Sequence, residues 1–475
     1  MNQLGVRNPR NGALDYRVSA WTDDDIGNAA TRLQKAQRCW SESGLDARID
    51  VLDQFKSCIA ENFEEIASAL AADTGRIFVS RFEVSATLNV LDFWLNSSSD
   101  CFEPIHKATS KFAPSVEFSH ALIPYALVGV ISPWNFPLLL SMIDTIPALL
   151  AGCSVIVKPS EITPRFIQPI QAAIDRVDTL KGVLQFIVGD AATGQALVNH
   201  VDAVCFTGSV ATGKSVAVQA ASQLKPAFLE LGGKDPAIVM ASANLEHAVD
   251  AILRSAVGMT GQSCQSIERV YVQERVFTAF LHRLVQAAAE IRYNWPNISS
   301  GQIGPLISAM TATKIASQIE QAQALGARVH CGGIVERHDA GYWMAPTIVT
   351  DLPHDCELMQ EETFGPVIPI MPFKHAEDAV NLANDSRFGL SAAVFSGDID
   401  EATNIAKKLV VGAVSINDAS LTAIVNDVEK NSFRQSGLGG SRMGNSGLTR
   451  FLRKRALLFQ NAAPTKLAMF SEAES

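Results

Sequence analysis

The sequence predicts an α/β protein with two parallel-sheet domains. Three observations carry this expectation. A chain of 475 residues is too long for one compact core. From Tyr125 onward, short apolar runs ending in Gly, Pro or Ser alternate with helix-patterned stretches, the signature of a parallel sheet covered on both faces. That alternation then starts again near Asp235, and the Gly-Gly of "ELGGKDP" is a plausible crossing point between the two series.

Taken in order, residues 22–75 read as helices. "DDDIGNAATRLQKAQRCW" and "DARIDVLDQFKSCIAENFEEIASALAADTG" carry apolar residues at three-to-four spacing after acidic starts. The first strand series is "YALVGVISPW", "CSVIVKPSE", "VLQFIVGD", "VDAVCFTGS" and "PAFLELGG", with helical "PRFIQPIQAAIDRV" and "GQALVNH" between. The second series holds "DPAIVM", the helix "NLEHAVDAILRSAVGMT", "ERVYVQ", a long helix from Val276 to about Arg292, "GARVHCGG" and "AVSIN".

Composition excludes several classes. A formal net charge of −10 disfavours nucleic acid or an anionic membrane as the main partner. No apolar run reaches the roughly 18–20 residues needed to span a bilayer. The N-terminus lacks a signal-peptide apolar region. Eight cysteines without a C-x-x-C pair read as reduced cytoplasmic thiols. The nine histidines fall in no ligand spacing, so no metal is expected.

Local motifs leave alternatives open. Gly208 to Ser215 matches the G-x-x-x-x-G-K-[ST] phosphate loop, between an apolar run and an Ala/Val-rich one. It suits a nucleoside triphosphate or a glycine turn against another diphosphate. No apolar strand ending in Asp offers a magnesium ligand, which weakens the first reading. Cys264 falls in a turn between helix and strand patterns, as a nucleophile or as a small buried thiol. No His or Lys adjoins it, so activation must come from spatial neighbours. Glu230 ends an apolar strand, as a desolvated base or as an edge-strand carboxylate in solvent. Asn135, between prolines, could donate to an oxyanion or serve an ordinary turn. Lys158 and Glu161 follow a strand, where the Glu could accept from a ribose diol or form a solvated surface pair.

Together, "SPWNFP" (132–137), "KPSE" (158–161), "FTGS" with Gly213 (206–213), "ELGGKDP" (230–236), "GQSC" (261–264) and "EETFGPV" (361–367) make the chain resemble the NAD(P)-dependent aldehyde dehydrogenase superfamily from about residue 20 to 455. The resemblance implies Cys264 as nucleophile, with Asn135 and the Cys264 N–H holding the oxyanion of a thiohemiacetal. Hydride transfer then leaves a thioester, and Glu230 activates the water that hydrolyses it. It implies NAD as cofactor, with Trp134 and Lys158 flanking the adenosine side and Glu161 on its ribose. Gly208, Ser209 and Gly213 would lie at the pyrophosphate, Glu362 at the nicotinamide ribose and Phe364 near the ring. Phosphate-loop chemistry is then an accidental match.

It also implies a Rossmann-like NAD-binding domain from 1–105 and 125–232, a catalytic domain from 233–440, and a small β bridging element from 106–124 and 445–470 that builds homodimers or homotetramers. Departures stand out at Ser263 and Gln265, at Arg434 where Lys is usual, and across 417–431. Phe93 and Trp94 suggest an apolar or aromatic aldehyde, with Leu140 and Ile143 lining a funnel or packing in the core. A coenzyme-A-acylating or semialdehyde-acid enzyme of the same fold, and a non-catalytic structural relative, are the alternatives.

Overall fold

The computed structural model describes residues 3–102, 106–470 and 472. The expected domain limits at residues 1 and 105 lie outside these. Two open sheets organise the chain. The first uses β1 (Leu127–Ile131), β2 (Ser154–Lys158), β3 (Leu184–Phe186), β4 (Ala203–Thr207) and β5 (Ala227–Glu230), all parallel where they pair. The second uses β6 (Asp235–Val239), β7 (Ile267–Gln273), β8 (Arg328–Cys331), β9 (Thr347–Thr350), β10 (Val367–Phe373), β11 (Ser391–Phe395) and β12 (Ala413–Ile416) in the order β8-β9-β10-β7-β6-β11-β12. The chain then returns: β13 (Gly437–Leu438) pairs antiparallel with β5, completing the order β13-β5-β4-β1-β2-β3.

The sequence accounts for the parallel character. Every residue of β1, β2, β4, β6 and β11 is buried, as expected where helices cover both faces. Leu127–Ile131 and Ser154–Lys158 are rich in Val and Ile, which fit a pleated surface. The second sheet departs from the expectation at one edge, where β8 runs antiparallel to β9. Neither β13 nor the N-terminal hairpin of Gln3–Arg7 and Leu14–Ser19 was legible as a strand. Both are short or polar.

Three helices matter for the site. Helix α1 (Ile77–Ser97) packs on α2 (Leu139–Ala151), and α3 (Val210–Ser222) follows β4. A separate antiparallel sheet joins Ala108–Thr109, Val116–Pro124 and Leu452–Gln460, the last exposed along most of its length. No helix among the described residues is long and apolar enough to cross a membrane.

Candidate active site

In the first sheet β1 has β2 on one side and β4 on the other, which makes it the topological switch point, where open α/β sheets bind ligands beyond the strand C-termini. The segments after β1, β2 and β4 and the end of β5 carry Trp134 and Asn135, Lys158 and Glu161, Gly208 and Ser209, and Glu230. The chain next enters the second sheet.

Cys264 sits in the turn between the 3-10 segment Gly258–Gly261 and β7. Its approach is strained: Met259 and Thr260 have φ of 58° and 60°, a conformation that costs about 1–3 kcal/mol per residue unless held. Arg76 Nη1 donates to Met259 O at 3.1 Å, and the Thr260 hydroxyl donates to Gly304 O at 3.0 Å. Gln262 is fixed too, its Nε2 donating to Pro305 O (3.2 Å) and its Oε1 accepting from the Ile307 N–H (2.9 Å).

Asn135 is only 3% exposed, and its Nδ2 donates to Gln262 O at 3.1 Å, two residues before Cys264. That bond uses one amide hydrogen and leaves the second. Arg76 Nη2 donates to Asn135 O at 3.0 Å, so one guanidinium holds both loops. Glu83 of α1 accepts from the N–H groups of Leu138 (2.7 Å) and Leu139 (3.0 Å), fixing the start of α2. Burial pushes the Glu83 carboxyl up to about 7, against the pull of those N–H groups and Arg76.

Glu230 is half-buried. It does not end an exposed edge strand, because β13 covers β5 and Gly437 pairs with it. Its Oε2 accepts from the Ser432 hydroxyl at 2.7 Å. Burial pushes the Cys264 thiol up to about 12; Lys430 works against that, and Glu362, Asp235 and Glu230 add to it.

The two glycines after Glu230 permit this crowding. A Cβ at Gly232 would stand 2.6 Å from Glu362 Oε1, and one at Gly233 would stand 2.8 Å from the Cys264 carbonyl oxygen. Glu362 accepts from the Gly233 N–H at 3.2 Å, and burial, with Glu268 next, raises its carboxyl to about 7. Buried Glu268 pairs with Lys234 Nζ (2.8 Å) and accepts from the N–H groups of Thr363 (2.6 Å) and Phe364 (2.8 Å). It thereby holds Phe364 at φ 58°.

Some expected placements change. The Trp134 ring meets Phe364 edge-on at 5.4 Å between centroids, while its carbonyl accepts from Thr163 at 3.4 Å. Gly213 offers no group to a phosphate, since its N–H donates to Ser209 O (2.9 Å) and a Cβ there would strike Leu231 at 2.4 Å. It lets α3 lie close on the sheet. The phosphate-loop reading fails on the same geometry, because the helix begins at Val210 and Gly213 is already inside it. Lys214 Nζ reaches Gln435 at 3.3 Å. Trp94 is 3% exposed and packs in the core with half-buried Phe93 against it, so Trp94 does not line a cleft. Arg434 is exposed and its Nη1 donates to Asn384 O at 2.6 Å.

A dinucleotide fits the remaining donors. Ser209 caps α3, accepting from the Thr212 N–H at 3.2 Å, and the helix start offers N–H groups suited to a pyrophosphate. Glu161, paired with buried Lys158 at 3.5 Å, and Glu362 are carboxylates suited to ribose diols. Sequence reasoning missed Arg76, Glu83, Gln262, Ser432 and Lys430. Only Glu83 carried a local signal, as an acid within an apolar helix face.

The aldehyde dehydrogenase family profile matches residues 2–457. The chain belongs to that family and is an oxidoreductase acting on aldehydes. It is 32% identical over 463 residues to lactaldehyde dehydrogenase of Escherichia coli, covering 96% of this chain and 95% of that one. It is 33% identical over 418 residues to 2-aminomuconic semialdehyde dehydrogenase of Mus musculus, covering 86% of each. The fold superposes on PutA from Anabaena variabilis with a TM-score of 0.95 at 48% identity, covering 98% and 99% of the two chains. Betaine aldehyde dehydrogenase of Staphylococcus aureus, solved with NAD+, gives 0.93 at 31% identity, covering 99% and 94%.

Proposed function

We propose that the protein oxidises an apolar or aromatic aldehyde to its carboxylic acid with NAD. The observation that carries this is the Asn135–Gln262 hydrogen bond of 3.1 Å, which joins the amide-bearing loop to the cysteine loop. Cys264 attacks the carbonyl carbon, and its S–C bond gives a thiohemiacetal. The free N–H of Asn135 and the Cys264 backbone N–H take up the oxyanion, where each donor is worth roughly 3–4 kcal/mol of barrier. Bound NAD supplies the hydride acceptor, and loss of hydride leaves a thioester on Cys264. Glu230 then takes a proton from a water, whose oxygen attacks the thioester and releases the acid and the thiol.

Glu161 supports NAD over NADP, since a carboxylate at the adenosine ribose repels a 2′-phosphate. Gly208, Ser209, Lys158, Trp134, Glu362 and Phe364 complete the cofactor set. The apolar preference rests on the 417–431 segment, which reaches Gln265 beside Cys264 through Thr422 and exposes Ile424, Val425 and Val428. Segments 1–105 with 125–232 form the NAD-binding unit, 233–440 the catalytic one, and 106–124 with 445–470 a bridge. The exposed strand Leu452–Gln460 supports homodimers or homotetramers by strand addition. All eight cysteines are free thiols, which supports a cytoplasmic setting.

The test is turnover across short aliphatic, long-chain, aromatic and acidic aldehydes with NAD or NADP, with and without coenzyme A. Intact mass is followed during the reaction. An acylated Cys264 that disappears on hydrolysis is expected. NAD reduction by Cys264→Ala, or an acyl-CoA product, overturns the reading.

A further inference from the structure

Hydrogen bonds around the cysteine turn close into a ring. Arg76 Nη1 donates to Met259 O (3.1 Å), and the Gln262 N–H donates to the same oxygen (3.2 Å). Asn135 Nδ2 donates to Gln262 O (3.1 Å), and Arg76 Nη2 donates to Asn135 O (3.0 Å). Arg76 thus joins residues 59 and 183 positions away, and Cys264 follows Gln262 by two. Arg76 is itself fixed. It is 4% exposed, its carbonyl accepts from the Ser80 hydroxyl (2.7 Å), and the Gly75 carbonyl before it accepts from Asn294 Nδ2 (2.7 Å). A Cβ at Gly304 would stand 2.6 Å from Arg76 Cγ, so the stem is packed as well as bonded. Burial lowers the guanidinium to about 10, with Glu83 pulling the other way, so it stays charged at neutral pH. The ring holds the strained backbone of the site: Met259 and Thr260, at φ 58° and 60°, relax once their carbonyl anchor is released. That relaxation turns Gln262 away from Asn135.

We infer that Arg76 is a positioning residue for the reaction at Cys264, the fork that closes this ring and so sets the free Asn135 N–H against the cysteine. The inference rests on the roles proposed above for Cys264 and Asn135. Two η nitrogens of one planar group reach two carbonyls at once, which the single nitrogen of a lysine does not. No bond forms or breaks at Arg76, and its charge does not change.

The test compares two reactions of Cys264 without dinucleotide. With p-nitrophenyl acetate, sulfur adds to the ester carbonyl, the C–O bond breaks and p-nitrophenolate leaves, so the step passes through an oxyanion. Iodoacetamide alkylates the same sulfur at a saturated carbon, with no oxyanion. Arg76→Met is expected to slow acylation, read as the p-nitrophenolate burst and by intact mass, about 100-fold, the scale of a lost oxyanion donor. Alkylation is expected to stay within about 3-fold of the parent. Arg76→Lys keeps the charge without the fork and is expected to remain about 10-fold slow in acylation, so it carries the test if Arg76→Met fails to fold. Added to Asn135→Ala, Arg76→Met is expected to cost less than about 3-fold more, because it acts through Asn135. Parent-like acylation, an equal loss in both reactions, or additive losses with Asn135→Ala overturn the inference. Failure of the functional reading shows separately, as a burst that Cys264→Ala retains.

Discussion

Ser432 donates its hydroxyl hydrogen to Glu230 Oε2 at 2.7 Å, joining residues 202 positions apart in the chain. The bond sets the direction of the carboxylate proposed to activate water. Ser432→Ala removes the donor while β13 keeps its pairing with β5. Deacylation is expected to slow about 10-fold, the value of one hydrogen bond to a charged group. Rapid-quench kinetics will then show a burst of NADH equal to the enzyme concentration. A parent-like steady state without a burst would count against an orienting role.

Asn135 has one amide hydrogen committed to Gln262 O. Asn135→Ala is expected to lower kcat/KM by roughly 100- to 1000-fold, the usual cost of losing an oxyanion donor. Dinucleotide affinity, measured by fluorescence quenching, is expected to change little. Equal losses in both measurements would place Asn135 in binding and not in the transition state.

Much of this site was legible because its chemistry is written in short segments. Asn135 follows a strand, Glu230 ends one and Cys264 precedes one, each in a motif whose neighbours are adjacent in sequence. The partners of Arg76 and Glu83 were not legible, because they lie 55 to 183 residues away. Ser432 sits in a segment without strong periodicity, and only the return of β13 to the first sheet brings it to Glu230. Trp94 misled for the opposite reason: an aromatic at helical spacing reads alike whether it faces a cleft or the core, and here it fills the core.

Half-exposed Glu161 pairs with buried Lys158 at 3.5 Å. If Glu161 excludes a 2′-phosphate, Glu161→Gln keeps a polar group there and removes the repulsion. The KM for NADP is expected to fall about 10-fold, with the KM for NAD rising by less. Initial-rate kinetics with both cofactors decide it. An unchanged ratio would assign the selectivity to other residues.

Glu83 links stability to pH in a direction the structure fixes. Its carboxyl is raised from 4.5 to about 7, chiefly by burial, with the Leu139 and Leu138 N–H groups and Arg76 pulling the other way. Between those values the folded chain holds a proton that the unfolded chain has released, so stability falls as pH rises through this window. At 1.36 kcal/mol per unit the full difference is about 3 kcal/mol. Glu83→Gln keeps an oxygen for the N–H groups of Leu138 and Leu139 and cannot ionise. Its melting temperature relative to the parent is therefore expected to rise from pH 5 to pH 8. Asp235, raised to about 7 by burial, contributes the same slope to both proteins, so the difference between them isolates Glu83. Parallel curves from scanning calorimetry would mean that Glu83 stays ionised in the folded chain, compensated by Arg76.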